Sequence, residues 1–215
     1  MAVQPKQLDG IDATLAQRFN WFHRCGESTK STLRNAELTF SHPEIFGDTV
    51  DKSTMMVEYV KAIDLLFQES MGIQLLGEAG QKVAAQLRSR LIELELDDEP
   101  KEASYWLMAL QCDKHFTLDD FPMSKLGILS RAILSGKFFN DPFRAIDGLR
   151  AWAVILLLFG RRFAFRGRVL EPVLPMACSE ATVVTRVAHL LNGLQHARND
   201  AAHRGTLLQP QEAMQ

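Results

Sequence analysis

A chain of 215 residues with 47% hydrophobic and 23% charged side chains has enough apolar material for a buried core, which excludes a wholly disordered protein. Its three cysteines, Cys25, Cys112 and Cys178, are odd in number, far apart and without a Cys-x-x-Cys pair. That argues against a disulfide framework or a cysteine-rich zinc site, and for a reducing compartment. The net charge of −2 hides an asymmetry: residues 1–123 carry 12 basic against 20 acidic side chains, and residues 124–215 carry 12 against 6.

A polyanion would therefore meet the C-terminal half, although attraction between the halves, or to a second copy, explains the same pattern. The polar start, Met1 to Pro5, has no apolar core or cleavage site of a secretory signal. The expectation is a soluble, cytoplasmic, mainly α-helical protein without a membrane partner.

In chain order, Ile11, Leu15, Phe19 and Phe22 recur at helical spacing, so a first helix is expected over 11–25, stopped by Gly26. Pro43 and Gly47 make 40–49 a loop. Asp51 and Ser53 are candidate caps for a helix over 51–71 with Met56, Tyr59, Val60, Ile63, Leu66 and Phe67 on one face, ending at Gly72. A helix over 79–95 keeps Val83, Leu87, Leu91 and Leu94 in step, and the acidic stretch 96–102 reads as a connector. Further helices are expected at 103–113, at 124–138 with Leu126, Leu129, Ile133 and Phe138, and at 142–165, opened by Pro142 after Asp141. The apolar run Ala151 to Phe159 is far short of the roughly 20 residues that cross a bilayer, and it reads as a buried core helix. Residues 167–176, with Gly167, Pro172 and Pro175, should be extended or looped. A last helix follows over 180–203, ending at Gly205. The sum is an all-α helical bundle of short antiparallel helices.

The last helix concentrates the chemistry. Steps of about 100° place His189, Asn192, His196, Asn199 and His203 on one stripe, while Leu190, Leu191, Leu194, Ala197 and Ala201 lie elsewhere and can face the core. Such a stripe can be a solvated face, but this one holds histidine and asparagine in place of the usual lysine and glutamate. A metal is not expected, because His196 and His203 are separated by roughly 10 Å of helix axis and no His-x-x-x-His pair exists; no cofactor is expected either.

The segment Ala197-Arg198-Asn199-Asp200-Ala201-Ala202-His203-Arg204-Gly205 resembles the Arg-x-x-x-x-His motif of HEPN domains, in which a polar residue such as Asn199 often follows the arginine. The stretch Val57 to Ser70 is similar to an early helix of several members, and Ser124 to Leu134 sits where such bundles carry an apolar helix. The resemblance would cover 50–208 as a HEPN-like helical domain, leaving 1–49 as an N-terminal helical extension and 209–215 as a flexible tail. It implies a homodimer that cleaves RNA without a metal, with two motifs facing each other, and a place in toxin–antitoxin or antiviral defence. Arg198, Asn199 and His203 are then the catalytic candidates. RNA supplies its own 2′-hydroxyl nucleophile, His203 suits acid–base work near neutral pH, Arg198 can hold a phosphate through paired N–H donors, and Asn199 can orient the phosphate or the histidine. Arg198 and His203 are about 140° apart around a helix, which suits a site completed by a second subunit or by a bend at the helix end.

Arg161, Arg162, Arg166 and Arg168 interleave with Phe163 and Phe165, a pattern that binds phosphates and stacks bases, or that closes a basic helix end with the phenylalanines packed inward. Together with His196 and Arg204 they are the expected RNA contacts. The stretch Gly26 to Thr32 has the look of a phosphate-binding loop but lacks the second glycine and follows a helix, so it is set aside. His23, His42 and His115 stand alone and are assigned no chemistry. The competing reading is a non-catalytic helical adaptor, whose polar stripe, basic segment and acidic N-terminal half bind a protein partner.

Overall fold

The structure, a computed structural model, describes residues 5–41, 53–71, 75, 77–95, 123–137, 148–174 and 176–204; for His203 and Arg204 it describes the backbone alone. These residues build seven labelled α-helices, a short 3₁₀ turn and one two-stranded hairpin. The expected loop beyond Ser41, connector 96–102, helix 103–113, helix start at Pro142 and tail 209–215 lie outside them. The chain forms two compact units, residues 1–69 with 194–215, and residues 70–193.

In the first unit, α1 (Pro5–Arg18) buries Ile11 and Leu15, one helical turn apart. The helix expected over 11–25 ends at Arg18, and the chain tightens into a 3₁₀ turn over Phe22–Arg24. Phe19, Trp21 and Phe22 cannot share one face of a straight helix. The break turns Phe22 inward to 1% exposure and leaves Phe19 and Trp21 in contact, ring centres 5.0 Å apart. Helix α2 (Glu27–Ser41) follows where no helix was expected. Its buried line, Thr29, Thr32, Leu33, Ala36 and Glu37, has helical spacing but is mostly polar. Thr32 and Thr39 hydroxyls donate to the Ser28 and Asn35 carbonyls, which lets them be buried. Helix α3 (Ser53–Ser70) buries Met55, Met56, Val60 and Ala62. Ile11, Leu15, Phe22, Leu33 and Ala62 form one cluster, so the N-terminal helices share a core with α3.

In the second unit, α4 (Gly77–Glu93), α5 (Met123–Leu134) and α6 (Leu149–Phe159) pack on one another. Leu87, Leu91, Leu129 and Ile133 supply the facing sides. Every residue of α6 from Ala151 to Phe159 is buried, as an all-apolar helix must be. Among the described residues no helix is long and apolar enough to cross a membrane.

The helix expected to continue to 165 ends at Phe159. Residues Phe163–Phe165 (β1) pair antiparallel with Arg168–Leu170 (β2), in register Phe163↔Leu170, Ala164↔Val169 and Phe165↔Arg168. The two turn residues, Arg166 and Gly167, both have positive φ, 49° and 76°, the condition of the tight turn that matches strand twist. Helix α7 (Ala181–Arg204) closes the described chain within a residue of its expected bounds, contributing its residues through Gly193 to the second unit and the rest to the first.

Gly80 gives a sharp test of α4. A Cβ there would lie 2.1 Å from the Leu75 carbonyl oxygen and 2.5 Å from its carbon. Gly80→Ala is expected to destabilise by about 1–3 kcal/mol, against a gain of about 0.5–1 kcal/mol for Gly127→Ala in α5, where nothing lies within 4 Å. Urea midpoints of the two variants check the opposite signs.

Candidate functional site

The motif residues occupy the last two turns of α7. Upstream, the buried line of this helix runs through Val184, Thr185, Ala188, Leu191 and Asn192, spaced by one, three and four. Asn192 is 4% exposed, so the polar stripe is not a uniformly solvated face: His189 is half-buried, His196 exposed and Asn199 half-buried. The apolar residues divide as well. Leu191 and Ala201 are buried as expected, but Leu190 is 60% exposed and Ala197 is exposed, because both lie on the side away from the buried line.

At the site, the Asn199 Oδ1 accepts hydrogen bonds from Gln195 Nε2 at 3.0 Å and from Arg198 Nη1 at 3.3 Å. The first is an i,i+4 pair of the kind that forms along a helix surface. Together they orient the amide so that its NH₂ is the group left for a ligand. Arg198 is half-buried and uses one of its fork of N–H donors on Asn199. His203 lies five residues further along the same helix, about 7.5 Å of rise and 140° of turn from Arg198, so the helix does not by itself converge them. Arg204 is its final residue.

The arginine-rich segment is placed differently from the expectation. Arg161 is 2% exposed and donates to the Leu157 carbonyl at 3.2 Å and the Thr185 hydroxyl at 2.6 Å, closing the end of α6 against α7. It is a structural tie that no phosphate reaches in this arrangement. Arg162 pairs with Glu171 at 3.0 Å, both exposed. Arg166 pairs with both carboxylate oxygens of Glu95 and lies over the Phe165 ring, 5.5 Å from its centre. Phe165 itself is 7% exposed, turned inward by strand alternation together with Leu170, and offers no face for stacking a base. Arg168 is exposed. The segment is therefore a hairpin stitched to its own unit, in place of the helix end or open basic platform expected from the sequence.

The set-aside stretch Gly26 to Thr32 opens α2, and the Gly26 N–H donates to the Glu69 carboxylate at 2.8 Å. Among the described cysteines, Cys25 is buried, with its thiol pushed up by burial and by Glu69, and Cys178 is exposed; both are free. Sequence reasoning passed over Arg90, whose guanidinium joins three segments of the second unit. Its signal was there: Arg90 falls in phase with Leu87 and Leu94 on the buried side of α4. Comparison of the chain with family models, curated proteins and solved structures finds no match.

Proposed function

We propose that the chain is a HEPN-like RNA-binding protein in which two copies bring Arg198, Asn199 and His203 to a shared groove and cleave RNA without a metal. The observation that carries this reading is the bonded Arg198–Asn199 pair on an uninterrupted helix that continues through His203. In the reaction, the 2′-hydroxyl oxygen bonds to the adjacent phosphorus and the bond from phosphorus to the 5′-oxygen breaks. One neutral His203 takes the 2′ proton, and the other copy's protonated His203 gives a proton to the departing 5′-oxygen. Arg198 and the Asn199 amide neutralise charge growing on the non-bridging oxygens. The wide angle between Arg198 and His203 is the reason two copies are needed.

The test is cleavage of mixed single-stranded RNA in excess chelator. Wild type is expected to cleave, and His203→Ala to lose about a hundredfold or more in rate, with its helix content unchanged by circular dichroism. Equal rates, or no cleavage by folded wild type, would remove the nuclease reading. A second reading, a non-catalytic helical adaptor, is favoured by one observation: Arg161, Arg162 and Arg166 are engaged within their own unit, so the basic segment is no ready polyanion surface.

A further inference from the structure

Helix α7 carries a second line of side chains besides its buried one. Val183, Arg186, Leu190, Gly193, Ala197 and Asp200 follow in steps of three, four, three, four and three, and all six are exposed. That alternation is the period of roughly 3.5 residues that keeps one stripe of a helix against another helix. Val183 is 43% exposed and Leu190 60%, and Val187 and Leu194 flank the line half-buried. The whole line belongs to one uninterrupted helix. It faces away from the motif: Asn199 is nine residues beyond Leu190, which at about 100° per residue is the opposite side of the helix.

The line reads alike from both ends, with its charge reversed. Arg186 and Asp200 each lie seven residues from Gly193, about 10 Å of rise to either side of it. Among the described residues Arg186 pairs with no carboxylate. Asp200 has a contact within its own chain, and the two oxygens of a carboxylate accept more than one donor. Arg198, the next cation along, is turned to Asn199. Between the charges the surface is apolar and uneven: Leu190 stands out, and a Cβ on Gly193 would meet nothing within 4 Å, so the space above it is open. A second copy turned end for end about an axis at Gly193 sets Arg186 of each against Asp200 of the other. It also sets Leu190 of each over Gly193 and Ala197 of the other. A parallel copy would set like charges side by side.

We infer that this face of α7 is a contact between two copies of the chain, packed antiparallel about Gly193. The two symmetric charge pairs fix direction and register, and burial of Val183, Leu190 and Ala197 supplies affinity. A contact in which each copy uses the same patch is closed and stops at two copies. Because the face lies opposite Asn199, it is separate from any pairing of two motifs and stands whether or not the chain cleaves RNA.

The test is the mass of the full chain by sedimentation over a range of protein concentrations. Leu190→Glu is expected to halve the wild-type mass, raising the dissociation constant about a hundredfold or more. Its helix content by circular dichroism should be unchanged, since the position is exposed. The halving reads the same whether wild type is a dimer or, with a motif contact as well, a tetramer. Arg186→Asp and Asp200→Arg should each weaken the association about tenfold, because each brings like charges together twice. Both changes in one chain restore opposite charges across an antiparallel contact and should return the wild-type mass; across a parallel contact they restore nothing. A monomeric wild type, a mass unmoved by Leu190→Glu, or charge variants that do not weaken singly and recover together would overturn the proposal.

Discussion

Arg90→Met is expected to lower stability by about 3 kcal/mol, and the reason is where the arginine's bonds go. Arg90 starts on α4, 4% exposed, and donates to the Leu158 carbonyl in the last turn of α6 at 3.1 Å and to the Glu171 carbonyl just beyond β2. Leu158 is among the last four residues of its helix, whose carbonyls have no intrahelical donor. A cation there also meets the negative end of the α6 dipole. Burial pushes the guanidinium's pKa down, and Glu93 and Glu171 oppose that shift, so the group stays charged inside the fold. Methionine replaces the stem but no donor, leaving the buried Leu158 carbonyl and the partly buried Glu171 carbonyl without it. Arg88→Met is the control: Arg88 is exposed and makes a longer bond, 3.3 Å, to the Ile133 carbonyl. That substitution is expected to change stability by under about 1 kcal/mol. Urea unfolding of both variants decides the matter, and equal midpoints would mean that the Arg90 bonds are replaced by water.

Arg90 also shows why parts of this fold were legible in the sequence and parts were not. Helix α6 announced itself because every position from Ala151 to Phe159 is apolar, and α7 because a long stretch without proline precedes Gly205. Helix α2 did not, since threonines and Glu37 fill most of its buried face and leave only Leu33 and Ala36 to mark a hydrophobic period. The hairpin was missed for a different reason. Two strands of three residues are too short for an alternating pattern to stand out, and an Arg-Gly turn is a weaker signal than Asn-Gly. At the candidate site, the motif drew attention to Arg198, Asn199 and His203, but the double acceptance by the Asn199 oxygen depends on helix rotamers. The arginines of the hairpin could not be sorted into buried, paired and exposed from sequence, because their partners are settled by packing: Glu95 is 71 residues from Arg166. Basic residues close in sequence to aromatic ones describe a polyanion surface only if the fold leaves them without carboxylates of their own.

The first unit contains a buried charge whose removal should be as damaging. Glu37 is 1% exposed on α2, and its carboxylate accepts from Arg18 of α1 at 2.7 Å, from the Tyr59 hydroxyl of α3 at 2.9 Å and from Ser41 at 2.5 Å. One side chain thus ties three helices together. Glu37→Ala is expected to destabilise by about 3 kcal/mol, since it leaves a partly buried hydroxyl and a partly buried guanidinium without their acceptor. Glu37→Gln keeps the volume and one acceptor oxygen and should lose less. Tyr59 adds a pH signature. Burial raises its pKa first, and the neighbouring Glu37 charge raises it further, against a smaller opposing pull from Arg18. The folded state therefore keeps the phenolic proton to higher pH than the unfolded chain. The stability contributed is whole below the unfolded value of about 10 and falls as pH rises beyond it, by up to about 1.4 kcal/mol per pH unit, until the folded value is reached. Tyr59→Phe removes that slope, though not the one from the buried Cys25 thiol, which burial and Glu69 also push up. Unfolding midpoints of wild type and Tyr59→Phe, followed from about pH 7 to about pH 11, a unit above the free phenol, should differ at neutral pH by the lost hydrogen bond and converge as the pH climbs. Parallel curves would show that the hydroxyl ionises as freely in the folded protein as in water, and that Glu37 is held by Arg18 and Ser41 without it.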